Sequence, residues 1–267
     1  MPGALPVDAV TLLALRMALA APAFGLMAFR SRSGASLSGR EWLALAAIGL
    51  AGYYGASILD FWGLQYISAG LERLILFTYP TLTLLLGLVL FKKPLHGRDW
   101  GAIALTYVGV AVAFGHDLQL ADDSRAVWIG TGLVLASSLS YAVYLSGSGQ
   151  LIARLGSARF TALAMGVATS ATLVHYLAVR PWDDFLRQSG SVYGFALGMA
   201  LVSTILPVFM QSAAIKMMGA GRAALVGMVG PLVTILFGWM LLDEAVSAWQ
   251  LGGAALVIAG IVLISRR

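Results

Sequence analysis

AGLERLILFTYPTLTLLLGLVL (residues 69–90) and AGRAALVGMVGPLVTILFGWML (residues 220–241) decide how this chain is read. Each is an almost unbroken apolar run, charged only at Glu72 and Arg73 in the first and Arg222 in the second. At about 1.5 Å per residue, each reaches across a hydrocarbon core roughly 30 Å thick. Laid over one another at an offset of 151 residues, they pair Ala69-Gly70 with Ala220-Gly221, Leu74 with Leu225, and Pro80 with Pro231. Thr83 then meets Thr234, Gly87 meets Gly238, and Leu90 meets Leu241. The register continues without a gap from 60–113 onto 211–264, where Gly101, Ala104, Leu105 and Gly109 meet Gly252, Ala255, Leu256 and Gly260. Apolar helices share Leu and Ala by chance, but not Pro, Thr and several Gly in one register. The chain reads as an internal repeat.

Composition agrees. Of 267 residues, 60% are hydrophobic and only 11% charged, with a mean hydropathy of +0.87. A soluble domain carries about 25% charged residues, so most of this surface must face lipid. Backbone polar groups in lipid must be satisfied internally, which leaves helix bundles or closed barrels. The runs are long and continuous, not short and alternating, so the expected class is an all-α membrane protein. The net charge of +5 sits in short loops, which points to topology control and not to nucleic acid. The absence of cysteine excludes disulfides and thiolate metal sites.

Nine spans are expected: 9–29, 42–66, 71–91, 99–115, 128–150, 160–178, 192–215, 221–242 and 248–264. One side then collects Arg30, Arg32, Arg40, Lys92, Lys93, Arg98, Arg154, Arg159, Lys216, Arg222, Arg266 and Arg267. The other receives Arg73, Arg125, Arg180 and Arg187, with most of the acids, from Asp8 to Asp243-Glu244. The excess of Lys and Arg marks the first side as cytoplasmic and places the C-terminus there. The same offset lays span 160–178 over 9–27 and leaves 128–150 without a partner, since its counterpart falls ahead of Met1. The expectation is two inverted five-helix repeats, 1–115 and 128–267, with nine of ten helices visible and the first one missing. A native nine-span form is the alternative.

Several stretches resemble the EamA family of the drug/metabolite transporter superfamily. They are ALRMALAAPAFGLMAF with Arg16, YISAGLERLILFTYP with Pro80, LASSLSYAVYLSGSGQLIARLG, and GAGRAALVGMVGPLVTILFGWMLLDEAVSAWQLGGAALVIAGIVLI with Pro231 and the pair Asp243-Glu244. Tyr141 stands where the family more often has Trp. The resemblance covers almost the whole chain except the family's first helix. It implies ten spans in two inverted repeats, export of amino acids and other small metabolites, and a bacterial cytoplasmic membrane as the location.

Ionisable groups inside a membrane are costly and default to functional hypotheses. Arg16 and Asp60 are the two clear ones, each expected roughly 10 Å below the same interface. Arg16 suits a substrate carboxylate, and Asp60 an amine or a coupling proton; a structural ion pair, or an Arg snorkelling outward, is the alternative. Gln211 is the repeat partner of Asp60, read either as an inner counterpart of the site or as interhelical glue. Tyr79, Tyr107, Tyr141 and Tyr144 suit a cavity wall, while Trp62 and Tyr66 suit an interfacial belt. Pro80, Pro207 and Pro231 are candidate helix bends. Glu72 reads as helix-dipole compensation.

His96 and His116 are expected in loops and His175 alone near the outer face. No residues have metal-ligand spacing, and no phosphate-binding loop appears, so neither an enzyme nor a cofactor is expected. The partners expected are a small-molecule substrate, the lipid bilayer and a proton, with no nucleic acid and the oligomeric state open. The reading is a secondary transporter working by alternating access. A non-transporting scaffold or sensory subunit of the same fold is the rival.

Overall fold

A computed structural model of the chain describes residues 7–31, 36–92, 94–226, 240 and 247–265. Helices dominate: α1 (Ala9–Arg30), α2 (Gly39–Gly49), α3 (Ala56–Gly63), α4 (Ala69–Leu76), α5 (Tyr79–Phe91) and α6 (Gly97–Leu120) come first. Then follow α7 (Ser124–Leu155), α8 (Ser157–Val179), the short α9 (Trp182–Leu186), α10 (Gly190–Gly198), α11 (Leu206–Val226) and α12 (Ala248–Ser265). Two π-helical turns, Leu50–Gly55 and Met199–Ile205, join α2 to α3 and α10 to α11. The starts are written in the sequence. Asp8 accepts from the Val10 and Thr11 amides, Ser38 and Glu41 close a capping box, and Ser68 accepts from the Leu71 amide.

Among the described residues, seven helical runs are long and apolar enough to cross a membrane: 9–30, 39–63, 69–90, 97–120, 124–155, 157–179 and 190–219. The protein is an all-α membrane protein, but the count of nine spans is corrected. The last expected span is helical as α12, yet its apolar stretch, Ala248–Leu263, is shorter than the other seven. The expected span 221–242 lies mostly outside the described residues, as do Pro231 and Asp243-Glu244. Two further corrections concern histidines and helix lengths. His116 lies within α6, which continues past 115 to Leu120 because Gly115 to Leu120 contains no helix breaker strong enough to end it. The expected span 71–91 stands as one run, 69–90, with a break in its helix at Phe77 and Thr78.

That break has a local cause. Pro80 has no N–H to give the Leu76 carbonyl four residues back. Ser138 on α7 supplies a donor instead, its one hydroxyl proton shared between the Ile75 carbonyl at 2.9 Å and that of Leu76 at 3.1 Å. The second π turn ends just before Pro207, whose ring crowds the carbonyl four positions earlier. Widening the turn relieves that crowding, and the Ser203 and Thr204 hydroxyls bond the Met199 carbonyl at 2.7 and 3.1 Å.

The chain forms two compact units, each drawing segments from both ends of the sequence. The first comprises Met1–Ile58 and Gly147–Gly219. Here α1 packs along α8, α8 also against α2 and the first π turn, and α1 also against α10 and the second π turn. Leu13, Met17, Phe24, Phe160 and Met165 are buried between them. Gly49 faces Ala164 so closely that a Cβ there would stand 2.9 Å from the Ala164 carbonyl oxygen. Asp8 and Arg180 pair at 3.6 Å at one end of this unit, and Glu41 and Arg154 pair at the other.

The second unit comprises Leu59–Ser146 and Ala220–Arg267. Its spine is α6 against α12. A Cβ on Gly109 would stand 2.5 Å from the Gly253 carbonyl oxygen, and one on Gly260 would stand 2.6 Å from that of Ala102. The helices are therefore antiparallel, with backbones touching where side chains are absent. Leu71, Leu74, Ile75, Val134, Val257 and Ile261 close the core beside this seam.

Candidate functional site

In the first unit, Arg16 lies midway along α1, half-buried among apolar neighbours. Its Nη2 donates to the Ser57 hydroxyl at 3.3 Å. Ser57 sits on α3, three positions before Asp60. Asp60 is also half-buried and belongs to the second unit. Gln211 lies half-buried on α11, next to Ser212, whose hydroxyl receives the Thr161 hydroxyl hydrogen bond.

His175 is not alone, as the sequence suggested. Its Nδ1 lies 3.0 Å from the Tyr54 hydroxyl, and the two rings meet edge to face at 5.8 Å. Tyr54 sits in the π turn Leu50–Gly55, which changes the facing of the residues it contains. Sequence reading missed this pair because 121 positions separate its members and because nothing in GYYG announces a widened turn. Ser57 was missed because serine is common in membrane helices.

In the second unit, three of the four expected tyrosines come together. Tyr79 and Tyr141 meet edge to face at 5.1 Å, and Tyr141 stacks on Tyr144 at 5.6 Å. Tyr144 is fully buried, so it braces the cluster from behind. Tyr107 stands apart on α6, beside the Thr81 side chain. Pro80 is buried at the start of α5, whereas Pro207 is exposed. Trp62 and Tyr66 are exposed, as belt residues would be. Glu72 lies in the first turn of α4, where it offsets the helix dipole, and is 3% exposed with Arg73 at 4.0 Å. A carboxylate is buried only where the surroundings offset the loss of water. Among the described residues, no group of three or more His, Cys, Asp or Glu is placed to hold a metal ion.

The chain is similar over its whole length to known membrane proteins. The profile of the EamA-like transporter family matches residues 4–115 and again 128–266. "Uncharacterized transporter YcbK" of Bacillus subtilis is 32% identical, with 95% of this chain and 82% of the relative covered. "Probable terminal-alkyne amino-acid exporter" of Streptantibioticus cattleyicolor is 28% identical, covering 98% of this chain and 84% of its own. One crystal structure matches with a TM-score of 0.71 at 16% identity, over 97% of this chain and 87% of its own, which shows a shared fold. With two copies of one family's pattern spanning nearly all its residues, this chain is an integral membrane transporter and belongs to the EamA-like transporter family.

Proposed function

We propose that this protein is a secondary transporter that exports small metabolites such as amino acids by alternating access between two inverted repeats, residues 1–115 and 128–267. The observation that carries the reading is Arg16, a guanidinium held on Ser57 within a membrane-length apolar helix. Such a group is retained in a membrane where it meets a substrate or a structural partner. In this reading Arg16 attracts a substrate carboxylate, and Asp60 takes an amine or a coupling proton. Gln211 serves the inner face, the four tyrosines line the path, and Pro80, Pro207 and Pro231 are bends.

The repeat reading draws support from the second unit. The offset of 151 exchanges Gly109 with Gly260 and Ala102 with Gly253, so each of the two tight contacts maps onto the other. That reciprocity is what a two-fold axis produces. The π turns fall at overlapping positions under the same offset. In this reading the C-terminus lies in the cytoplasm of a bacterial cell, which the excess of Lys and Arg in the loops of that side supports. The exporter named above supports amino acids as cargo.

The test is amino-acid counterflow in proteoliposomes. Arg16→Gln and Asp60→Asn are each expected to lower initial rates at least about tenfold while the purified protein keeps its elution profile. Full recovery in the double charge swap would make the two residues structural and remove them from the site. An initial rate indifferent to an imposed pH gradient would remove the proton from Asp60. No flux for any solute would favour the scaffold reading.

A further inference from the structure

A cavity of about 620 Å³ opens in the second unit, where the N-terminal ends of α4 and α12 meet the C-terminal end of α6. No role for it follows from Arg16 or the tyrosines. Asp117 is the one side chain of fixed charge among its described lining residues. Its Oδ2 accepts from the Ser68 hydroxyl, while its Oδ1 has no hydrogen-bond partner among the described residues. Gln250 donates to that same Ser68 at 3.3 Å and closes a reciprocal cap with Ser247. The carboxylate is thus held in place, with acceptor capacity left over.

The electrostatics of the walls are two-ended. Asp117 and the last turn of α6 present negative charge and a helix C-terminus. Ser68 caps α4, whose N-terminus already holds Asp117 on its cap and Glu72 in its first turn, whereas Ser247 marks the N-terminus of α12, which favours a further negative group. Leu120 and Val127 add apolar surface, and the Tyr66 ring lies at the rim. The volume falls within the range of roughly 300–1,000 Å³ typical of small-molecule sites.

We propose that this cavity is a binding site for a zwitterionic amino acid with an apolar side chain, its ammonium on Asp117 and its carboxylate toward the N-terminal end of α12. The site is built from the second unit alone and takes up cargo at its mouth. It rests on the transport reading only for the class of ligand.

The experiment is calorimetric titration of the purified full chain with L-leucine and with 4-methylpentanoate, which lacks only the ammonium group. Leucine is expected to bind the wild type, and about tenfold more weakly to Asp117→Asn, whereas 4-methylpentanoate, whose carboxylate Asp117 only repels, is expected to bind the variant no more weakly than the wild type. Raising salt to about 1 M, where the Debye length falls to about 3 Å, is expected to weaken leucine binding in the wild type. That second measurement stands even where Asp117→Asn does not fold. Leucine binding that is absent, or indifferent to both the substitution and salt, would overturn the proposal. Asp117-dependent binding without flux in proteoliposomes would sustain the site while removing the transport reading.

Discussion

Arg16 and Ser57 stand 41 positions apart, and only one of them was visible in advance. Arginine inside an apolar run is costly enough to draw notice on sequence alone; its hydroxyl partner is not. The same asymmetry separates Asp60 from Tyr54 and His175, whose pairing depends on a π turn with no residue signature. Glu72 stands in the first turn that its reading assigned to it, while its burial is what no local pattern announced. At this scale, Tyr54→Phe is expected to cost about 0.5–1.5 kcal/mol, the net worth of one hydrogen bond. Thermal unfolding in detergent measures it. Arg154→Ala, which removes a half-exposed pair with Glu41, is expected to cost no more than about 1 kcal/mol by the same assay.

Elements were more legible than contacts. Apolar length located seven spans because bilayer thickness dictates it, whereas the caps at Ser38 and Ser68 start the helices at 39 and 69, ahead of the 42 and 71 that apolarity alone suggested. The break at Phe77 and Thr78 was legible only as a bend at Pro80. Its stability depends on Ser138, which no local pattern singles out. Ser138→Ala is expected to destabilise by about 1–3 kcal/mol by leaving the Leu76 carbonyl, which Pro80 cannot serve, short of a donor; the Ile75 carbonyl keeps the Thr78 amide and hydroxyl. The two glycine types also separate here. Gly253→Leu drives a side chain into the Gly109 carbonyl and is expected to cost at least about 1–3 kcal/mol. Gly87→Leu, where a Cβ would meet nothing within 4 Å, is expected to leave the unfolding temperature unchanged.

At the scale of the molecule, loop charge and internal offset spoke to orientation and symmetry. Neither revealed that the compact units cut across the repeats, because an offset relates residues without saying which of them touch. Orientation is checked by reporter fusions after residue 267. A fluorescent protein is expected to glow there, and alkaline phosphatase to be inactive; the opposite pair of results would invert the assignment.

The interleaving of the units has a consequence for how the protein is made. Its first unit needs Met1–Ile58 together with Gly147–Gly219. At about 5–20 residues per second, the ribosome delivers the second of these segments on the order of ten seconds after the first. Through that interval α1 waits in the membrane without α8, its main partner. Biogenesis therefore has a long unsealed stage, in which the faces of α1 and α2 that α8 later covers, Gly49 among them, meet lipid, insertion machinery and proteases before the fold closes over them.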